Sequence, residues 1–189
     1  MQYLVANIND FSESELSVAL TQMPLKQREY ILRKKREFSR KQSIVARILL
    51  KKLLADFGIS DGYNIDFDTN GKPFHKNSSE VHFSISHSGN YVAVAVSYKP
   101  IGIDIQIPKN VNSKLLKRVC AQKEYDFVIK AGDEGFLKLW TVKEAYSKCT
   151  GIKLTDVFKL CFIENDLVIG LDKQLYSLSK DLYELSIIE

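Results

Sequence analysis

The chain has 189 residues, of which 45% are hydrophobic and 26% charged, and its formal net charge is +4. This composition is typical of a globular protein and excludes a low-complexity chain. No apolar stretch approaches the roughly 20 residues of a membrane span, so we expect no membrane partner. The N-terminus has neither a basic region nor a long apolar run, so we expect no signal peptide and a cytoplasmic location. The modest positive charge suits an anionic partner.

The first predicted element is a helix over residues 25–57, where apolar side chains recur at helical spacing until Gly58. This helix is strongly basic. Its cationic side chains are Arg28, Arg33, Lys34, Lys35, Arg36, Arg40, Lys41 and Arg47. Residues 68–73 follow with the Asp, Asn, Gly and Pro residues that are typical of a turn.

Three strands are predicted next, over residues 81–86, 91–98 and 101–107, because two kinds of residue alternate along each of them. The segment 88–90, Ser-Gly-Asn, predicts a hairpin turn between the first two strands. The third strand begins after a Lys-Pro pair at 99–100, which breaks the second.

Helices are predicted over residues 112–131 and 133–149, because their apolar residues return to helical spacing. The last segment, 157–188, contains short apolar runs separated by polar turns at 164–166 and 171–173. It is predicted to form meandering strands. Helices and antiparallel strands that follow each other in blocks indicate an α+β fold.

The strand 101–107 carries the first candidate site. Its isoleucines alternate with Gly102, Asp104 and Gln106, so the isoleucines share one face and these three residues the other. An acid and an amide on one face offer two oxygen ligands to a hard cation, and the glycine leaves room for something bulky beside them. The alternative is a half-exposed strand whose polar face contacts water.

The helix 133–149 carries the second candidate site. Trp140, Glu144 and Lys148 are spaced by four residues and share one face. The carboxylate is either half of an ordinary surface pair or a base or metal ligand with a phosphate-binding lysine one turn away. A third candidate is His87, in a Ser- and Gly-rich segment where it either donates to a phosphate or caps a turn.

Taken in order, three segments resemble the signatures of the Sfp-type 4′-phosphopantetheinyl transferases. The family patterns F-x-x-S-H-S, G-x-D-x-E and W-x-x-K-E-A-x-x-K correspond to FSISHSG at 83–89, GIDIQ at 102–106 and WTVKEAYSK at 140–148. A Gly-Lys-Pro turn at 71–73 also matches. The resemblance covers roughly residues 25–155.

The resemblance implies two similar α+β halves related by a pseudo-two-fold axis. Residues 1–99 would form the N-terminal half, on the side that binds the coenzyme A nucleotide. Residues 100–189 would form the C-terminal half, with the metal-binding and catalytic motifs. Such a chain would act as a monomer, because each half takes the place of one subunit of a smaller relative.

The resemblance also implies the roles of the second half's polar residues. Asp104, Gln106 and Glu144 would hold Mg²⁺, or Mn²⁺ in its place. Glu144 would be the catalytic base and Lys148 would stabilise charge on the leaving group. The family usually has glutamate where this chain has Gln106. An amide is a weaker ligand than a carboxylate, so we expect weaker metal binding at an active site.

Coenzyme A is the expected substrate, and its contacts would come from both halves. The resemblance places Lys143 and Lys148 near its phosphates. The contacts expected from the first half are Arg36, Arg40, Lys41, Lys72, Ser86 and His87.

The expected function is Mg²⁺-dependent transfer of 4′-phosphopantetheine from coenzyme A to a serine of an apo acyl or peptidyl carrier protein, in fatty-acid, polyketide or non-ribosomal peptide synthesis. One alternative is a non-catalytic regulator of the same fold, which Gln106 alone favours. Another is a basic nucleic-acid-binding module. The acidic residues Glu29 and Glu37 among the basic ones argue against that module, so we expect no nucleic-acid partner.

Overall fold

The structure is a computed structural model that describes residues 1–68 and 71–189. The chain forms two compact units, Met1–Lys99 and Pro100–Glu189. Thr69 and Asn70 of the predicted turn lie outside the described residues. Over the described ranges, no helix has the length and apolar character needed to span a bilayer.

The first unit is an antiparallel sheet with helices packed against it. Its central strand β5 pairs with β1 on one side and β4 on the other. The helix α3 packs on this sheet through apolar side chains that form one core cluster. In chain order the elements are β1 (Gln2–Asn7), α1 (Glu13–Gln22), α2 (Leu25–Leu32), α3 (Glu37–Asp56), β2 (Ile65–Phe67), β3 (Pro73–His75), β4 (His82–Ser88) and β5 (Tyr91–Ser97).

The prediction of a single helix over residues 25–57 is wrong, because the structure has two helices there, α2 and α3. The chain leaves the helix at Arg33 and is extended at Arg36, with φ −90° and ψ 127°. The break coincides with four consecutive basic residues, 33–36. They provide no apolar side chain for the core, and like charges on one helical face repel each other.

Four elements of the first unit escaped the sequence analysis, namely β1, α1 and the short strands β2 and β3. The start of α1 had a readable signal, since Ser12 and Glu15 form a capping box in which each side chain accepts from the other's backbone N–H. The strand β1 is short and only partly buried, so it lacks a distinct alternating pattern.

One cation of the basic stretch is not on the surface. Arg47 is buried, and its Nε donates to Oε1 of Gln27 at 3.3 Å. Burial lowers the pKa of the guanidinium to about 10. The Gln27 amide donates in turn to the Ile65 carbonyl, so this group ties α2 and α3 to β2 and is not part of a basic face.

The second unit has a three-stranded antiparallel sheet in the order β6-β10-β9, with the long helix α5 packed on it. The chain's last strand, β10, lies between β6 and β9. In chain order the elements are β6 (Gly102–Gln106), α4 (Ser113–Val119), α5 (Gln122–Thr150), α6 (Leu154–Val157), β7 (Ile163–Glu164), β8 (Leu167–Val168), β9 (Leu175–Lys180) and β10 (Tyr183–Ile188).

The helix predicted over 112–131 is also wrong in part, because it breaks at Cys120 and Ala121, which are extended. The carboxylate of Glu124 accepts from the Ala121 N–H at 2.7 Å and so starts a new helix there. The predicted boundary before residue 133 corresponds to a kink within α5, not to the end of a helix. Gly132, with φ 68° and ψ −159°, kinks α5 at that point.

The close approach of α5 to β6 depends on Gly102. A Cβ at this position would overlap the Ala145 carbonyl oxygen and lie 2.6 Å from the Cys149 amide nitrogen. The space that the glycine was expected to leave is therefore filled by the backbone of α5. Ile103 and Asp104 are both buried, so neither face of β6 is the water-contacting face of the alternative interpretation.

We expect Gly102→Ala to destabilise the second unit by about 3 kcal/mol, because the helix backbone cannot move away without disrupting the core. Gly58→Ala is the control. Gly58 also requires a special backbone, with φ +78°, but has open space around it, so its loss is about 1–2 kcal/mol. Urea unfolding of the two variants measures both values, and equal losses would contradict the proposed packing.

Candidate active site

The face predicted on α5 does meet the polar face of β6. The Lys148 ammonium lies 2.6 Å from Oδ1 of Asp104 and 3.0 Å from the Ile103 carbonyl oxygen. The Asp104 side chain is only 3% exposed, whereas Lys148 is 29% exposed. This ion pair therefore has a buried carboxylate and an ammonium that reaches solvent.

Glu144, one helical turn before Lys148, belongs to the same cluster. Its pKa is raised, first because burial disfavours the charged form and then because the Asp104 carboxylate repels it. The ammonium groups of Lys148 and Lys109 act in the opposite direction. The two carboxylates are therefore close enough to influence each other electrostatically.

Gln106 contacts the same cluster from β6. Its amide donates to Oδ2 of Asp104 at 3.2 Å. Gln106 therefore helps hold the carboxylate that also binds Lys148. Within residues 1–68 and 71–189, no group of three His, Cys, Asp or Glu side chains is placed to hold a metal ion. That agrees with an amide in the third position of the cluster.

The donor chemistry of this cluster fits Mg²⁺. Asp104, Gln106 and Glu144 carry hard oxygen atoms, and Mg²⁺ is usually held by one or two carboxylates together with substrate phosphates and water. The two carboxylates repel each other in a half-buried place, as the raised pKa of Glu144 indicates. A divalent cation between them would relieve that repulsion.

The prediction that Lys143 lies near the phosphates is wrong. Its side chain is fully buried and forms an ion pair with Glu124, with Nζ 2.8 Å from Oε2. The ammonium also donates to the carbonyl oxygens of Leu160 and Phe158, at 2.9 and 3.4 Å. A buried ammonium with these three acceptors has no donor to offer a ligand.

In the first unit, Ser86 and His87 are consecutive residues of β4. Their side chains therefore point to opposite faces of the strand, and Ser86 is buried whereas His87 is exposed. The strand continues to Ser88 before the predicted hairpin turn. His87 thus stands on the strand itself, just before the turn.

Lys72 lies beside a cleft of about 250 Å³ in the first unit. Its backbone N–H donates to Oδ1 of Asp68 at 2.8 Å. The cleft is also lined by Phe74 and His82. The pKa of His82 is lowered, mainly by burial and secondly by the positive charge of Lys72.

The three basic candidates at the start of α3 have different surroundings. Arg36 is exposed at the N-cap position. Arg40 donates to the Lys34 carbonyl at 3.5 Å, and Lys41 pairs with Glu13 of α1 at 3.2 Å. The ion pair of Lys41 connects α1 to α3, so this ammonium has a structural contact besides any role with a ligand.

Two residues of the second unit that interact with predicted site residues were missed. Lys109 lies with its ammonium 5.4 Å from the centre of the Trp140 ring, and it also affects the Glu144 pKa. Its position, three residues after Gln106, was a usable signal. Glu124, the partner of Lys143, had no signal, because it is far from Lys143 in sequence and its acidic type is common on helix surfaces.

Comparison with known proteins identifies the family of the chain. Residues 10–99 match the family model described as 4′-phosphopantetheinyl transferase, N-terminal, and residues 100–182 match that of the 4′-phosphopantetheinyl transferase superfamily. The chain belongs to this superfamily. The resemblance to the Sfp type is also confirmed, because several of its similar relatives are Sfp-like.

Among these relatives, the 4′-phosphopantetheinyl transferase Sfp of Bacillus subtilis (strain 168) is 38% identical over 116 residues, which are 56% of this chain and 52% of that protein. The transferase psf-1 of Bacillus pumilus is 31% identical over 117 residues, 59% of this chain and 50% of the relative. The L-aminoadipate-semialdehyde dehydrogenase-phosphopantetheinyl transferase of Saccharomyces cerevisiae is 32% identical over 159 residues, 74% and 57% of the two chains. The chain spans about half the length of the curated relatives it matches.

The Lys72 charge should be visible in the titration of His82. We expect Lys72→Met to raise the His82 pKa, which stays below about 6.5 because burial is the larger cause. NMR titration of the imidazole measures this shift. An unchanged value would contradict the contact, and Lys52→Met, which removes an exposed charge from α3, is the control.

The pH dependence of stability follows from the same shift. A histidine whose pKa is lower in the folded protein binds more protons when the chain is unfolded. The contribution of His82 to stability therefore increases as pH rises through the folded pKa and is constant above about 6.5. Lys72→Met should raise the His82 pKa of the folded protein toward that of the unfolded chain. It should therefore narrow the pH range over which the contribution of His82 to stability changes.

Proposed function

We propose that this protein transfers the 4′-phosphopantetheine group of coenzyme A to a serine of an apo acyl or peptidyl carrier protein. The observation that carries the proposal is the cluster of Asp104 on β6 with Glu144 and Lys148 on α5, in a chain of this superfamily. Carboxylates and an ammonium at one place are what phosphoryl-type transfer requires of a protein, namely charge stabilisation and a positioned base.

Asp104, Gln106 and Glu144 would hold Mg²⁺, for which Mn²⁺ could substitute. When bound, the metal supplies positive charge that offsets the negative charge of the pyrophosphate. The contribution of the chain is to keep these oxygen atoms together. The amide of Gln106 and the ammonium of Lys148 hold the two Asp104 oxygens in place.

The carrier protein supplies the nucleophile. We propose that Glu144 accepts the proton of the carrier serine, directly or through a water molecule. The serine oxygen then forms a bond to the phosphorus that carries pantetheine, and the bond from that phosphorus to the leaving 3′,5′-ADP breaks. Lys148 brings positive charge to the developing anion.

The nucleotide of coenzyme A would be bound by side chains of the first unit. Lys72, Ser86 and His87 are the proposed phosphate and nucleotide contacts, together with the basic start of α3 at Arg36, Arg40 and Lys41. We propose that the protein acts as a cytoplasmic monomer.

A second candidate function rests on Gln106. A relative that binds coenzyme A or a carrier protein without transfer could dispense with the third carboxylate. Asp104, Glu144 and Lys148 would then have no catalytic use, so this function accounts for less of the cluster. The nucleic-acid alternative loses support from the first unit, where Arg47 is buried and Lys41 pairs with Glu13.

The transfer is tested by the intact mass of an apo carrier protein after incubation with this protein, coenzyme A and Mg²⁺. We expect one phosphopantetheine to be added, and the addition to be lost on chelation of the metal. Glu144→Ala should lower the rate by at least about 100-fold, because the proposed base is removed.

Glu134→Ala is the matched control, since Glu134 is an exposed glutamate on the same helix. Its rate should stay within about twofold of wild type. Coenzyme A binding without any transfer to acyl or peptidyl carriers would instead favour the non-catalytic function.

We expect Gln106→Glu to lower the Mg²⁺ concentration that gives half-maximal transfer, because a carboxylate is a stronger ligand for a hard cation than an amide. A Mg²⁺ titration of the initial rate measures this. Gln174→Glu adds the same charge at an exposed site of the second unit and should leave the titration unchanged. If Gln106→Glu also leaves it unchanged, residue 106 is not near the metal.

A further inference from the structure

The ion pair between Glu124 and Lys143 is unusual because both side chains are fully buried. Every charged atom of the pair has a partner. Besides its bond to Lys143, the Glu124 carboxylate accepts from the Phe162 N–H and the Ala121 N–H, both at 2.7 Å. The Lys143 ammonium lies 5.3 Å from the centre of the Phe162 ring. A buried pair with complete hydrogen bonding has one defined geometry.

This pair joins three separate parts of the second unit. Glu124 belongs to the first turn of α5, and Lys143 to the half of α5 that follows the kink at Gly132. The ammonium also binds the carbonyl oxygens of residues 158 and 160, in the segment after α6. The ion pair thus spans the kink and connects both halves of the helix to that segment.

Because of the kink at Gly132, this connection can affect the orientation of the second half of α5. At Gly132 the backbone is not helical, so the first half of α5 does not by itself dictate how the second half is rotated about its axis. Lys143 precedes Glu144 directly, and consecutive helical residues point about 100° apart. Holding Lys143 inward therefore directs Glu144 toward Asp104, on the face that also carries Trp140 and Lys148.

We propose that Glu124 and Lys143 are positioning residues that set the rotation of the second half of α5 and so place Glu144 for catalysis, an inference that rests on the proposed function. Stability alone is a poor reason for the pair, because well-packed apolar residues of similar volume usually stabilise a core as well as a buried ion pair does. The ion pair restricts the second half of α5 to one rotation about its axis. Apolar packing would restrict this rotation less strictly.

The test uses Lys143→Met, which keeps most of the side-chain volume, and Glu124→Gln, which keeps the shape and the acceptor for the Phe162 N–H. Leu185→Ala, a buried cavity variant in β10, is the control for general loss of stability. Lys153→Met replaces an exposed lysine of the same unit and is the control for exchanging a lysine for a methionine. Urea unfolding compares the stabilities of all four variants.

Two readouts separate positioning from stability. The first is the transfer reaction under conditions where each variant is folded. We expect kcat to fall about 100-fold in the two pair variants, while KM for coenzyme A changes less than about threefold. The second is the fluorescence of Trp140, the single tryptophan, which lies one turn before Glu144. Its emission maximum and acrylamide quenching should shift in the pair variants and in neither control.

The inference is overturned if the folded pair variants keep the wild-type kcat and the wild-type Trp140 emission. It is also overturned if Leu185→Ala loses as much kcat at equal stability, because the effect is then general. Wild-type protein without transfer activity would refute the proposed function instead. The Trp140 readout would still decide whether the pair sets the helix rotation, and Glu124→Gln provides a second variant if Lys143→Met does not fold.

Discussion

The candidate site depends on the close contact between β6 and α5. Gly102 allows the helix backbone to approach the strand, since any Cβ there would overlap the Ala145 carbonyl. The approach brings Lys148 within 2.6 Å of Asp104, so that a strand residue and a helix residue form one polar cluster. The cluster is therefore a consequence of packing. Its chemistry requires the glycine as much as the charged groups, because a side chain in that place would separate the two elements.

Local periodicity predicted which residues share a face, because Asp104 and Gln106 alternate with isoleucines and Glu144 and Lys148 are one helical turn apart. That the two faces form one site was an expectation from the family resemblance, which supplied what periodicity alone left open. The role of Lys143 was not predictable. Periodicity assigns a residue to a face but does not show that a lysine on the inner face has a distant carboxylate as its partner. The same limit applies to Arg47, a member of a basic stretch that lies in the core.

The boundaries that the sequence analysis missed have a common physical cause. Both wrongly predicted helices break at a short segment whose side chains favour the end of one helix or the start of another. Four consecutive basic residues end the helix before α3, and the Glu124 carboxylate binds the Ala121 N–H at the start of α5. These are competitions between local alternatives, and their outcome depends on tertiary contacts. The hairpin of β4 and β5 was less ambiguous, because two alternating segments flank a short turn and pair directly across it.

The amide of Gln106 changes the charge balance of the cluster. With Asp104, Glu144 and Lys148 ionised, the protein groups carry a net charge of −1, whereas glutamate at 106 would make it −2. In both cases one carboxylate charge is offset by Lys148, whose ammonium is in contact with Asp104. With the proposed substrate, coenzyme A, a divalent cation at this cluster would therefore owe more of its binding to the substrate's pyrophosphate than it would in a site with three carboxylates. In such a site metal and substrate bind in a mutually dependent way, because each supplies charge that the other requires.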